Sequence, residues 1–551
     1  MKKKISIALL ALVLSVNGCG MTETKNASKE AKSAVESEEA KEETKESSKK
    51  KAEEALEENV AETSEEKTEK TKEVKNHAEL ETKLKVTYES GVEEVKSSNG
   101  AVVFEYKWKR PKITMEGNEQ AVAAIEKEWE EKIADTKKQV ENLSDTAMEL
   151  YEKSSGTQWS IASVGCEMIS NKNGIITLDR QIGGMNAGEF ISSKDEGYMN
   201  YDITTGELLS LKDVLEEETE GKKQMAEALV TQIQMMKLEE YEKSELLQNV
   251  DSIMETKYWY LSKVGIHFIT SVLHNVGGDT VEIIIPFDTI ANLKEKYKPQ
   301  VKAWAVADGG SIRMDLDGDG VEEELTYGKM EEETEDPKLV INGVDFGKSL
   351  YDLGACFAYA TRDFCYLVDL DERDSYVEIV VGDHGVGETM DTNFFRYDKG
   401  SLVHLGKIYD DFGAYTCTLL GEGKLLARAV ADVFEDGRIE HEYHLSENQL
   451  LTVEKEWYEM DMSEYLGVKH QECNILKDVT VYTQDNLDSA TKVLTPLDGP
   501  VIFTMTDNKK WVQMKTKDGT VYYIYIIDYC TIQNGNMQEG QWEVFDNLLL
   551  V

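Results

Sequence analysis

Apolar positions change period along this chain, and each change marks an element. Leu84, Val86 and Tyr88 alternate with polar residues, and Phe104, Tyr106 and Trp108 do so again. This predicts two strands, the second ended by Pro111. From Asn118 the period lengthens: Val122, Ile125, Trp129, Ile133 and Val140 share one helical stripe, with Gly117-Asn118 as stop and cap. Strands return over 159–163, 175–178 and 198–201, before a turn at Thr204-Thr205-Gly206. A second helix is expected over 222–243, with Met225, Leu229, Ile233 and Met236 on one face. Strands over 258–261, 265–270 and 281–286 complete an α+β unit spanning 84–298.

Beyond a polar joint that contains Lys294, Lys296, Lys298 and Pro299, helical patterning ceases. Residues 299–470 read as a β-rich, repeat-like domain, with strands near 325–327, 379–381, 394–397, 402–408, 425–433 and 441–445. It is too short for a complete seven-bladed propeller. Residues 471–551 form a third unit of five short strands, at 479–482, 492–494, 501–503, 511–514 and 521–524. The expected fold class is an α+β module, then a β-rich repeat-like domain, then a small β-barrel.

The first 83 residues have a different character. Lys2, Lys3 and Lys4 precede an apolar run from Ile5 to Val16, closed by Asn17-Gly18-Cys19. That run is short for a membrane span and reads as a signal peptide. Its end resembles the lipobox of bacterial lipoproteins, which implies that Cys19 carries the lipid and anchors the chain to the outer side of the cell membrane. Residues 20–83 are Glu, Lys, Ser, Thr and Ala without one aromatic residue, so they cannot offset the entropy of ordering. As a coil of about 60 residues this tether would span roughly 45 Å.

Composition narrows the partners. The 551 residues carry 61 Lys+Arg against 106 Asp+Glu, a formal charge of −45, which repels nucleic acid and favours cations or basic proteins. Besides Cys19 the cysteines are Cys166, Cys356, Cys365, Cys417, Cys473 and Cys530, widely spaced and without a Cys-x-x-Cys. They suggest small buried side chains, with no disulfide scaffold, zinc ribbon or redox motif.

Several phrases of the α+β unit resemble the extracellular domain of RsiV-like anti-sigma factors, also found beside peptidoglycan deacetylase modules. They are Phe104-Glu105-Tyr106 with Pro111, Gly183-Gly184-Met185-Asn186-Ala187-Gly188, Tyr201-Asp202-Ile203-Thr204-Thr205-Gly206, Leu209 to Leu215, and Trp259 with Gly265-Ile266-His267-Phe268 and Ile285-Pro286-Phe287. The family usually has a His where Met185-Asn186 stand here. The resemblance implies a binding module without catalytic groups, in some members a lysozyme receptor. The chain lacks such receptors' cytoplasmic sigma-binding segment and transmembrane helix, so ligand binding is what carries over. The last unit, through Trp511-Val512-Gln513-Met514-Lys515-Thr516-Lys517-Asp518-Gly519, resembles the distal hairpin of bacterial SH3-like barrels, some of which bind cell-wall peptide. Tyr482 and Trp511 fit a core role there equally well.

The most chemical phrase is Asp315-Leu316-Asp317-Gly318-Asp319-Gly320-Val321-Glu322-Glu323-Glu324-Leu325. Oxygen ligands at positions one, three and five converge on one ion only where the backbone turns sharply. Gly320 permits that turn, Val321 offers a carbonyl, and Glu323 or Glu324 completes the shell. Position twelve is Thr326 and no helix flanks the loop, so it resembles the calcium loops of FG-GAP or VCBS-type β repeats rather than an EF-hand. Calcium is the expected cofactor; the alternative is an acidic turn that holds no metal. A second copy at Asp369-Leu370-Asp371-Glu372-Arg373-Asp374 has Arg373 for the third Asp, an internal cation that makes a hydrogen-bonded turn the better reading.

No Gly-x-Ser-x-Gly, Walker loop or His-Glu-x-x-His is present, and His441-Glu442-Tyr443-His444 reads as solvated strand. The functional expectation is a lipid-anchored extracellular protein with non-catalytic binding modules. Its ligand would be a cell-envelope component or a basic protein such as lysozyme. The alternatives are a calcium-stiffened spacer or wall-attachment protein, and a cryptic wall hydrolase at the Asp383-His384 loop.

Overall fold

The computed structural model describes residues 80–153, 160–186, 189–190, 197–274, 277–329, 337–353, 361–383, 391–434, 437–462 and 472–546. The signal stretch, Cys19, Cys356, His384 and all but the last four residues of the expected tether lie outside these residues. Within them no helix is long and apolar enough to cross a membrane.

The first sheet contains β1 (Lys85–Lys96), β2 (Val102–Thr114), β3 (Ser160–Lys172), β4 (Ile175–Asn186), β5 (Glu189–Phe190), β6 (Tyr198–Asp202) and β7 (Leu208–Leu209). Its order is β1-β2-β3-β4-β6-β7, with β5 on β4. β2 and β3 run parallel because α1 (Glu119–Lys153) makes the crossover between them. Of the predicted stripe α1 buries Ile125 and Trp129, which pack with Ile113, Cys166, Ile176 and Tyr201. Pro111 does not end β2; it sits inside the strand opposite Tyr88. Pairing with β3 stops at Trp108, so only β1 flanks the proline, a position a residue without an N–H tolerates.

The expected second helix is two helices. α2 (Glu218–Met235) ends where Met236 turns extended, and α3 (Glu240–Gln248) starts afresh. The Glu242 carboxylate accepts the Glu239 amide at 2.8 Å and caps this new start. α4 (Val250–Met254) follows. Met225, Leu229 and Ile233 of α2 pack on Phe268, Ile283 and Ile285 of a small sheet, β10-β9-β8. Its strands are β8 (Trp259–Leu261), β9 (Gly265–His274) and β10 (Gly277–Pro286).

The joint after this unit is packed rather than free. Tyr297 and Val301 are buried. Lys296 and the Tyr297 hydroxyl both donate to Asp202, at 2.8 and 2.9 Å. Two buried lysines also reach across. Lys172 donates to Thr418 Oγ1 at 2.6 Å, and Lys263 donates to the carbonyls of Phe412 and Ala414. Order already reaches Glu81, which is buried and accepts the Gly174 amide at 2.9 Å.

The middle of the chain contains three successive antiparallel meanders of four strands. The first is β12 (Ser311–Met314), β13 (Glu323–Gly328), β14 (Lys338–Ile341) and β15 (Val344–Asp345). The second is β16 (Thr361–Val368), β17 (Glu378–Asp383), β18 (Thr392–Asp398) and β19 (Ser401–Ile408), with β11 (Ala303–Ala307) added beside β16. The third is β20 (Thr418–Gly421), β21 (Lys424–Val430), β22 (Gly437–Ser446) and β23 (Gln449–Val453), and β25 (Asp461–Met462) pairs with β22. The region is thus β-rich and repeat-like, as its spacing predicts.

The five predicted C-terminal strands all form: β26 (Val479–Tyr482), β27 (Thr491–Leu494), β28 (Val501–Thr506), β29 (Trp511–Thr516) and β30 (Val521–Asp528). With β24 (Tyr458–Glu459) they give the order β24-β28-β29-β30-β26-β27, and β31 (Thr531–Asn534) and β32 (Met537–Gly540) extend from β30. Among the described residues no pairing closes this sheet into a barrel. Its core is shared with the preceding meander, since Phe434 and Ile439 pack with Phe503 and Phe545. Tyr482 and Trp511 alternate with Val481 and Val512 of that core and so meet on the other face of the sheet, buried and edge to face at 5.4 Å.

Candidate metal centre and ligand groove

The acidic phrase occupies the hairpin between β12 and β13. Met314 and Glu323 face each other across its base. Asp315 accepts the amides of Gly318 and Gly320 at 2.8 and 2.9 Å, which winds the loop around its carboxylate. Asp317 accepts the amide of Lys399 at 2.8 Å from the tight β18–β19 turn. Glu323, at the first position of β13, reaches back and accepts the Leu316 amide at 2.9 Å. Carboxylate oxygens of Asp315, Asp317 and Glu323 consequently lie within 4.8 Å of one another. Asp317 and Glu323 are only 8% and 5% exposed.

The other expected ligands stand apart from these three. Asp319 is exposed and accepts the Val321 amide at 2.8 Å. Val321 is itself exposed. Glu324, one residue beyond Glu323 on the strand, points to the opposite face and pairs with Arg313 at 2.7 Å.

The second copy repeats this architecture. Val368 faces Glu378 across the base of the β16–β17 hairpin, and Glu378 accepts the Leu370 amide at 3.2 Å, as Glu323 does from Leu316. Here the cation is supplied by the chain. It is Arg396 of β18 that serves the buried carboxylate, through Nε at 3.2 Å and Nη2, and it also reaches Asp374 at 2.9 Å. Arg373, the residue singled out in the sequence, is exposed and forks onto Asp371 at 2.7 and 2.8 Å. Burial pushes Glu378 up to about 7 despite Arg396.

The two hairpins also stack. Leu316 accepts the Val377 amide at 3.1 Å, and Leu370 accepts the Gly423 amide at 2.8 Å, so each loop is stapled to the next. The donor chemistry of the first hairpin suits a hard cation, since its donors are all oxygen. No cationic side chain among the described residues pairs with its three carboxylates, whereas the equivalent hairpin is neutralised by a guanidinium. Asp315, Asp317 and Glu323 would hold the ion, and its chemistry there would be structural, tying the loop to the β18–β19 turn.

No family model and no curated protein matches the chain. Among solved structures, a DUF3298-family protein of Bacteroides fragilis is similar at 15% identity with a TM-score of 0.28, over 38% of this chain and 93% of its own. A DUF3298-family protein of Pseudomonas aeruginosa is similar at 12% identity and a TM-score of 0.26, over 39% of this chain and 97% of its own. Neither likeness is close enough to assign a function.

Two further features are built by the fold alone. Ser262, His267 and Glu282 form a chain in which His267 Nε2 meets Ser262 Oγ at 2.6 Å and Nδ1 meets Glu282 at 2.8 Å. Tyr260 stacks on the imidazole at 4.2 Å and donates to the same carboxylate at 2.7 Å. This order matches a nucleophile–base–acid relay. Ser262 and His267 are, however, buried, and Ser262 Oγ also accepts the Val264 amide at 3.0 Å, so the relay ties the β8–β9 turn. His441, expected to be solvated, is half-buried against Tyr458, and burial lowers its pKa.

The second feature is an open groove of about 770 Å³ in the α+β part, where β4, α3, α4 and the β9–β10 hairpin meet. The volume falls in the range of small-ligand clefts. Tyr198 and Tyr258 stand edge to face in its wall at 5.3 Å. Sequence patterning could not reveal it, because its lining comes from separate elements with no shared motif.

Proposed function

We propose that the chain is a lipid-anchored extracellular binding protein that holds a cell-envelope ligand in the groove of its α+β part and performs no catalysis. The observation that carries this reading is the groove itself: an open, mixed polar and aromatic cleft onto which no nucleophile–base pair among the described residues opens. A basic protein such as lysozyme is the other ligand, supported by the formal charge of −45. Incubating the full chain with isolated envelope and, separately, with lysozyme at physiological salt tests both. Retention on envelope supports the reading, and retention on neither removes it.

A second reading rests on a specific observation, the convergence of Asp315, Asp317 and Glu323. In that reading calcium stiffens the central meanders, and the chain acts as a spacer with wall attachment through the C-terminal sheet. Envelope retention that persists when the groove is altered, and is lost on calcium chelation, would favour it.

A further inference from the structure

The groove's chemistry narrows its ligand, given the reading that the α+β part is the binding part. Its charged side chains are already engaged. Arg180 is buried and donates to Thr136 at 2.8 Å, Asp179 accepts from Gln181 at 2.9 Å, and Glu245 also has a protein partner. What remains is neutral. The hydroxyls of Ser252, Thr270, Ser271 and Thr280 make no hydrogen bond to a described residue, and the Tyr258 hydroxyl is shut off from water without a partner. Asn249 spends its amide on the Glu245 carbonyl at 2.8 Å, which leaves its side-chain oxygen as an acceptor.

Hydroxyls both donate and accept, so a wall of them complements a ligand whose own groups do the same. The rings of Tyr198 and Tyr258 and the side chains of Ile182 and Ile269 add apolar surface of the kind that covers the C–H face of a sugar ring. A peptide held by strand addition would instead need a strand edge to pair with. Of the edge strand β10 only Thr280 lines the groove, which is too little for a ladder. Among the described lining residues one base, Arg180, stands with two acids, Asp179 and Glu245, so the groove presents no cluster of one sign for a strongly charged ligand.

We propose that this groove binds a short, uncharged oligosaccharide, positioned by the hydroxyls of Ser252, Thr270 and Thr280 and by Asn249, with its ring faces on Tyr198 and Tyr258. Calorimetric titration of the full chain with neutral tetrasaccharides of N-acetylglucosamine, glucose and mannose, and with a neutral tetrapeptide, tests it. The test variant is Asn249→Ala with Thr270→Val. Both positions are partly or fully exposed, but the variant loses the bond from Asn249 to Glu245, so its thermal unfolding is recorded beside the parent's to establish that it is folded at the titration temperature. Saturable binding of at least one tetrasaccharide, weakened about tenfold or more in the variant for the hydrogen bonds it loses, is the expected result. Binding of the peptide alone, of no tetrasaccharide, or of a tetrasaccharide with unchanged affinity in the variant overturns the proposal. Envelope retention separates the two levels. If the chain holds envelope but no tetrasaccharide, the binding reading stands and the saccharide proposal falls; if it holds neither, both fall.

Discussion

Arg396 reaches from β18 to the wholly buried carboxylate of Glu378, closing the second hairpin with a cation of the chain's own. One hairpin earlier the matching carboxylate, Glu323, gathers Asp315 and Asp317 instead. Arg396→Ala should therefore be severe, because it strands a buried charge at a cost of about 3–5 kcal/mol. Chemical denaturation at pH 8 measures it. The loss should shrink at pH 5, where Glu378 can take up a proton.

The same glutamate sets a pH dependence in the parent chain. Burial raises Glu378 from 4.5 to about 7. The folded state thus holds a proton that the unfolded state has released, and this contribution is complete below about pH 4.5 and lost as pH rises through about 7. It amounts to no more than roughly 3 kcal/mol. Glu378→Gln should flatten that part of the stability profile, and an unchanged slope would place the titration elsewhere.

Calcium should raise the unfolding temperature of the chain, with EDTA as the reference state. At a concentration about 100 times the dissociation constant the gain is about 2.7 kcal/mol. Asp317→Asn should abolish the shift, because it removes a buried ligand. Glu324→Gln should leave the shift intact, since Glu324 faces Arg313. An absent shift in the parent would leave the loop an acidic turn.

Loop stacking makes two nearby glycines unequal. Both Gly318 and Gly320 have positive φ, +72° and +87°. A Cβ on Gly318 would lie 2.1 Å from Ser375 Oγ in the next loop, whereas one on Gly320 meets nothing within 4 Å. Gly320→Ala should cost roughly 1–3 kcal/mol from its backbone alone. Gly318→Ala should cost more, and denaturant midpoints of the two variants decide it.

Lys172 should leave an alkaline signature. Burial lowers it from 10.5 to about 8, against the pull of Glu81. Between those values the unfolded chain binds the proton and the folded chain does not, so stability should rise as pH climbs from about 8 towards 10.5. Lys172→Met should remove that rise in thermal unfolding, and a rise that persists would assign it to another group.

Strand and helix identity followed from local periodicity. Alternation at Phe104, Tyr106 and Trp108 and the stripe through Ile125 and Trp129 each specify one buried face, and a buried face is a property of consecutive residues. The misreadings were local as well. Pro111 continues a strand because pairing on its β3 side has already stopped at Trp108, and Met236 breaks a helix whose apolar stripe includes it.

By itself the sequence determined where most strands and the first long helix fall, the acidic hairpin from Asp315 to Glu324, and its echo at Asp369 and Asp371, because these lie within a few residues of one another. The tertiary structure decided which carboxylate turns inward, that Arg396 and not Arg373 neutralises Glu378, that the C-terminal sheet stays open, and where the groove forms. Each of those outcomes depends on contacts between residues far apart in the chain, such as Asp317 with Lys399 or Lys172 with Thr418. Packing selects such partners by shape and charge, and no local pattern of apolar and polar positions encodes them.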